Sequence, residues 1–304
     1  MKIDVKGNTR NTMASAPTRE PAPPKDAATL LLLRKGEPFE IFMVKRHSRS
    51  RFMGGMYVFP GGKRDETDSL LAHEAYCNGV TAQQAAQILG LDDSPADALG
   101  HFIAAVRETF EEAGILLAVE ANGQPIDATA HETTLDKART ELQAKQSTIT
   151  DIMAQNGWKF ALEKLRYYAH WITPELEPSR FSARFFMSRS PEHQVGMHDS
   201  LETTDSAWIT PSKALREYNA DRFQCGPPTL RVLEEMAAFD SLEDALAAAP
   251  HQPVVPNAPQ FAKDDETMCL VLPDDPLHPY SPGTMKRRFM LDGHRWRTVF
   301  ESKP

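Results

Sequence analysis

Apolar positions come first in short, strand-length runs and later at helical spacing. Ala27 to Leu33 is an apolar run followed by a Lys35-Gly36 turn and a second run, Phe39 to Val44, a pattern that predicts a β-hairpin. In Gly54-Gly55-Met56-Tyr57-Val58-Phe59-Pro60-Gly61-Gly62, glycines flank a short strand and then force a tight loop. Residues 69 to about 99, rich in Ala, Gln and Leu, read as helical. Ala104 to Ala113 predicts a helix, ended by Gly114 where a left-handed cap belongs, with a strand over Ile115 to Val119. Thr133 to about Leu162 reads as one or two polar helices, and Tyr167 to Thr173 and Phe181 to Ser188 as strands. A short strand, Ala207 to Thr210, leads into a helix with Pro211 in its first turn, and a further helix covers Pro228 to Ala238. The proline-rich stretch from Pro250 to Pro259 precedes two expected strands, Met268 to Leu272 and Trp296 to Phe300. The predicted organisation is a flexible tail over 1–25, a principal domain over 26–240 with a helical insertion at about 69–103, and a C-terminal extension over 241–304.

Composition narrows the function classes. At 304 residues, with 41% hydrophobic and 25% charged residues, the chain has the make-up of an ordinary globular protein with a proper core. A net charge of -8 argues against a surface that coats nucleic acid, so an anionic substrate must meet a local basic patch. No stretch approaches the apolar length of a membrane helix, and the opening MKIDVKGNTRNTM lacks the apolar core of a signal peptide. Cys77, Cys225 and Cys269 are scattered and show no metal-ligand spacing, so a reducing, cytoplasmic setting is expected. No GXSXG elbow and no GXGXXG turn opening a helix is present, which disfavours serine hydrolases and dinucleotide dehydrogenases.

The informative segment is Ala104-Ala105-Val106-Arg107-Glu108-Thr109-Phe110-Glu111-Glu112-Ala113-Gly114-Ile115. On a helix, Val106, Phe110 and Ala113 form a buried stripe, while Glu108, Glu111 and Glu112 converge on the other side. Unaided, each like-charge pair at this spacing costs roughly 0.2–0.5 kcal/mol. Anions in the last turn also oppose the helix dipole, at about 0.3–1 kcal/mol each. A bound divalent cation reverses both penalties, and hard oxygen ligands without nearby His or Cys point to Mg²⁺ or Mn²⁺. A solvated acidic helix face is the plainer explanation of the same residues.

Phe59-Pro60-Gly61-Gly62 together with the Arg107–Ile115 segment resembles the Nudix box, GX5EX7REUXEEXGU, with Thr109 in place of an aliphatic residue. Counting from Gly62, the acidic position before the helix falls on Asp68, with Asp65 and Glu66 competing for it. Thirty-eight residues separate Asp68 from Arg107 instead of seven, an insertion of about 31. Loop closure costs only about 0.6 kcal/mol per doubling of length, so the two halves of the box can still meet. The resemblance implies an α/β/α sandwich with a mixed β-sheet, a helical insertion and a C-terminal extension. It also implies that Glu108, Glu111 and Glu112 bind the metals and that Arg107 orients them. Members of the family use the metal to direct water at one phosphorus of a diphosphate, with an acidic base that varies. Glu202, just before the Trp208 strand, is the candidate for that base, with an ordinary loop acid the competing explanation. Family members are often dimers, so a homodimer fits the resemblance.

Upstream, Arg46, Arg51, Gly55 and Phe59 to Gly62 match the spacing of the signature before the box in coenzyme A diphosphatases, LLTXR(S/A)X3RX3GX3FPGG; Val44-Lys45 and His47 depart from it. Lys45, Arg46, Arg49 and Arg51 fall within seven positions, and guanidinium forks suit phosphate oxygens. A solvated strand end would look the same. The insertion and the aromatic strands, with Trp171, Phe185, Phe186 and Trp208, resemble the acyl-coenzyme A diphosphatase branch, whose products are 3′-phospho-AMP and (acyl-)phosphopantetheine; the aromatics are expected to wall an acyl or pantetheine pocket. The same box serves ADP-ribose, NADH and nucleoside triphosphates, and a non-catalytic Nudix-fold binding protein is the rival from another class, although such proteins often lose a metal carboxylate.

Overall fold

The structure, a computed structural model, describes residues 21–50, 53–199, 202–249 and 254–301. Most of the expected tail and Arg51 lie outside these. Two compact units emerge, the larger comprising Asp26–Ala169 and Ala183–Val254.

In the larger unit, β1 (Lys25–Lys35) and β2 (Phe39–Arg46) form the expected antiparallel hairpin, with Leu33 opposite Ile41. Leu30 to Leu33 are all fully buried, so β1 needs cover on both faces. Two short strands follow, β3 (Tyr57–Val58) on β2 and β4 (Gly61–Lys63) on β1. After β5 (Cys77–Asn78) come α1 (Ala82–Leu89), with a Thr81–Gln84 capping box, and α2 (Pro95–Ala113). The α2 helix starts well before Ala104, with Pro95 in its first turn, and ends at Gly114 with φ 70°.

The strand expected over Ile115 to Val119 is reduced to β6 (Ala118–Val119), and the helical stretch after it divides into α3 (Glu132–Gln143) and α4 (Ile149–Asn156). Gly157, left-handed, stops α4, and β7 (Lys159–Ala161) follows where helix was expected to continue. Strand β7 pairs parallel to β5 and antiparallel to β6, giving a small mixed sheet. The main sheet is completed by β8 (Arg166–Ile172), β9 (Phe181–Arg189) and β10 (Thr203–Ile209), in the order β10-β2-β1-β9-β8. Next come α5 (Pro211–Asn219), which packs on β2 and against α6 (Pro227–Met236), and a short α7 (Leu242–Ala247). Ala28, Leu30 and Leu32 share one hydrophobic cluster with Phe102, Val106 and Phe110 of α2, so the sheet and the glutamate-bearing helix are packed as one body.

The smaller unit, described over 21–25, 170–182 and 255–301, contains an antiparallel meander of β11 (Gln260–Asp264), β12 (Thr267–Val271), β13 (Arg287–Asp292) and β14 (Arg295–Phe300). The two expected tail strands are β12 and β14; β11 and β13 carry too many charges to stand out as apolar runs. Among the described residues, no helix is long and apolar enough to cross a membrane.

Candidate active site

Three successive residues of β4 each meet a different residue of α2. The Gly61 amide donates to Glu112 Oε2 at 3.0 Å, and Arg107 Nη2 donates to the Lys63 carbonyl at 2.9 Å. Between them, a Cβ on Gly62 would stand 2.5 Å from the Glu108 carboxylate, so only glycine lets that side chain lie against the strand. Gly61 is equally constrained: its Cβ would reach 2.4 Å from the Ala28 carbonyl on β1. Backbone approach requires Gly61, whereas a side chain at Gly62 would displace the Glu108 carboxylate from its place on the strand.

Arg107 is the hub. Its Nε and Nη2 grip Asp68 in a bidentate pair, both at 2.9 Å, and its Nη1 donates to Glu108 Oε1 at 2.9 Å and Glu111 Oε1 at 3.1 Å. Burial works against the guanidinium charge, but Asp68, Glu108 and Glu111 outweigh it and hold the proton firmly. Asp68 is 2% exposed and also accepts the Asp65 amide at 2.8 Å; Asp65 and Glu66 stay exposed, with Asp65 Oδ2 3.9 Å from Arg107. Arg64 ties the insertion to the sheet, joining Asp97 of α2 at 2.8 Å and Asp26 of β1 at 2.9 Å and bonding Ser69, while the Asp68–Arg107 pair crosses it. The two halves of the motif are thus tied by ion pairs despite the residues between them.

The three glutamates lie along one side of α2, and that side faces β4 and Arg107. Helix α2 is covered on nearly every side, so Glu112 is 4% exposed and turned onto β4, while Glu108 and Glu111 lean toward Arg107. Burial pushes the Glu108 carboxyl up to about 7, with Glu111 adding to the effect and Arg107 opposing it. Burial also drives Glu112 well above the carboxylate range, reinforced by Glu108 and Glu202 and opposed by the Gly61 amide and Arg46. Glu111 is raised as well, chiefly by burial.

Among the described residues, no group of three or more His, Cys, Asp or Glu side chains is already arranged to hold a metal ion. The donor chemistry nevertheless fits a hard divalent cation. Buried carboxylates that repel one another and lack His or Cys neighbours gain from Mg²⁺ or Mn²⁺, which draw remaining ligands from water and phosphate. Glu108, Glu111 and Glu112 are the residues that would hold it.

Arg46 ends β2 opposite Thr203 of β10, and its charge reaches Glu112; its Nε is buried and has no hydrogen-bond partner among the described residues. Glu202 lies beside it, accepting the His47 amide on its carbonyl at 2.9 Å, with its own amide directed at Asp199 at 3.2 Å. Arg49 is exposed. Of the aromatics expected to wall a pocket, Trp171, Phe185 and Phe186 are buried, with Phe185 against Phe59 and Phe186 against Phe102 and Tyr167, while Trp208 is half-buried with Arg34 over its ring. Sequence reasoning also missed Arg64, Arg139 and Gln143; their partners are backbone atoms or distant acids, and no local pattern marks them.

A mixed α/β fold in which a glycine strand is clamped by an Arg-Glu-X-X-Glu-Glu helix defines a Nudix-type hydrolase. A family profile described as the NUDT19 Nudix domain matches residues 11–236, and the chain belongs to that family. The acyl-coenzyme A diphosphatase NUDT19 of Xenopus laevis is 26% identical over 280 residues, 80% of this chain and 72% of the relative. The human protein of the same description is 26% identical over 246 residues, 68% of this chain and 63% of the relative. The crystal structure of a Nudix hydrolase from Alicyclobacillus acidocaldarius superposes with TM-score 0.58 at 26% identity, covering 76% of this chain and 99% of that one.

Proposed function

We propose that the protein is a Mg²⁺- or Mn²⁺-dependent diphosphatase of coenzyme A or acyl-coenzyme A, releasing 3′-phospho-AMP and (acyl-)phosphopantetheine. The observation that carries the chemistry is the register of α2 on β4, in which Gly61, Gly62 and Lys63 meet Glu112, Glu108 and Arg107 in turn. That register sets Glu112 and Glu108 against β4 and, through Arg107, holds Glu111 beside them, with Arg46 at the end of β2.

A bound divalent cation supplies charge neutralisation for the carboxylates and the diphosphate. Arg107 keeps Glu108 and Glu111 oriented, and the Gly61 amide does the same for Glu112. Arg46, with Arg49 and Arg51 beyond it in the same basic stretch, binds phosphate oxygens and sets the reacting phosphorus against the acids. Glu202 accepts the proton of the attacking water, close enough to Glu112 to be felt by it.

The substrate class rests on the basic spacing before the glycine loop and on the names of the Xenopus laevis and human relatives. The test is a panel of coenzyme A, acyl-coenzyme A, ADP-ribose, NADH and nucleoside triphosphates with Mg²⁺ or Mn²⁺. Products are identified by mass, and the incoming oxygen is traced from labelled water. Release of 3′-phospho-AMP from the coenzyme A compounds is expected; preferential cleavage of ADP-ribose to AMP and ribose phosphate would overturn the assignment.

A further inference from the structure

An α-helix leaves its last four carbonyls without intrahelical partners; in α2 the Gly114 cap amide still closes on the Phe110 carbonyl at 2.9 Å, so those left over include Glu111, Glu112 and Ala113, at the turn carrying two of the three glutamates. Three of these leftover carbonyls are served from outside the helix. Ala113 accepts the Met197 amide at 2.8 Å. The other two are served by side chains of α3, where Arg139 and Gln143 stand one turn apart. Arg139 Nε and Gln143 Nε2 both donate to the Glu111 carbonyl, at 3.0 and 2.8 Å, and Arg139 Nη2 donates to the Glu112 carbonyl at 3.0 Å.

The same Nη2 also donates to the Met197 carbonyl at 3.0 Å, so one guanidinium joins the end of α2 to the segment before β10. That segment continues to Asp199, whose carboxylate receives the amides of Glu202 and Thr203 at 3.2 and 3.0 Å. The guanidinium lies directly over Gly114, where a Cβ would stand 2.9 Å from Nη1. A cation at this end also offsets the negative pole of the helix beneath a cluster of acids.

We infer that Arg139 is a positioning residue for the proposed metal site, fixing the Glu111–Glu112 turn and the Glu202 segment in one geometry from a helix outside the glycine-loop and glutamate motif. The inference rests on the metal-dependent reading above. Arg139 touches neither substrate nor cation; it sets where two backbones lie, and so the directions from which the carboxylates approach.

The test measures Mn²⁺ binding by electron paramagnetic resonance of the free ion, without substrate, alongside kcat and KM. The wild type is compared with Arg139→Met, which keeps chain length and loses every donor. Weakening of Mn²⁺ binding by about 10-fold or more is expected, as for loss of other groups that orient metal ligands. A parallel fall in kcat with little change in KM is expected too. If folded Arg139→Met melts at a lower temperature but binds Mn²⁺ and turns over like wild type, the residue is only a helix cap and the inference fails. Should Arg139→Met not fold, Arg139→Lys carries the test, because an ammonium keeps the charge but cannot span three carbonyls. Wild-type Mn²⁺ affinity in that variant overturns the inference. A wild-type protein that binds no Mn²⁺ instead overturns the metal reading itself.

Discussion

Arg107 shows how much one side chain settles. It is buried, and every one of its partners is an acid or a carbonyl at the junction of β4 and α2. Removing Asp68 leaves that charge held only by Glu108, Glu111 and the Lys63 carbonyl. Asp68→Ala is therefore expected to cost about 3 kcal/mol, the lower end for breaking a buried pair. Asp65→Ala, at a 53% exposed side chain, is expected to cost less than about 1 kcal/mol. Urea denaturation of both variants checks the contrast, and equal losses would mean that the acid before the helix has been misassigned. Glu111→Gln and Glu112→Gln are expected to lower turnover by about 100-fold or more with far-ultraviolet circular dichroism unchanged, as removal of metal ligands does; undiminished rates would reject their role. The residue types of this cluster were legible in the sequence. The inward turn of Glu112 was not, because a helical wheel shows which residues share a side but not what lies against it.

Elements were legible where periodicity and punctuation agree. The β1–β2 hairpin, the end of α2 at Gly114 and the prolines opening α5 and α6 follow from local chemistry. Gly157 misled, since a lone glycine was read through and β7 was taken for helix; its short strand gains its pairing from β5 and β6, both distant in sequence. In the smaller unit, a charged pair between β13 and the connection that precedes it takes the place of apolar contrast. Asp275 is fully buried and accepts Arg288 Nε and Nη2 at 2.8 and 2.7 Å, with the amides of Leu277 and Arg287 at 2.9 and 2.8 Å. Burial would raise its carboxyl, but these hydrogen bonds and the Arg288 charge hold it below the ordinary value of 3.8. Because the folded value is the lower one, the stabilisation is present above about pH 4 and disappears as the pH falls through the folded value. Asp275→Asn is accordingly expected to destabilise the protein at pH 7, by about 3 kcal/mol. The gap from wild type should close on acidification below about pH 4 in pH-dependent denaturation; a gap independent of pH would show that shape, not charge, is what matters there.

At the scale of the whole molecule, acids gather at one place on an already acidic chain, where burial and their mutual repulsion disfavour their charges. A protein stripped with chelator is expected to gain thermal stability on adding Mg²⁺ or Mn²⁺, by about 2.7 kcal/mol at a hundredfold excess over the dissociation constant. Glu112→Gln is expected to lose most of that gain, and scanning calorimetry reads both; an equal gain in the variant would place the ion elsewhere. The residue order alone specified the class of chemistry and most of the strands and helices, since spacing, caps and glycine punctuation act over a few positions. Folding alone determined that Asp68 and Arg107 meet across the insertion, that Trp171, Phe185 and Phe186 go to the core, and that Arg139 caps the glutamate turn. Each of these depends on atoms far apart in the chain, often on backbone carbonyls that every residue carries, and a string of side-chain types holds no record of those approaches.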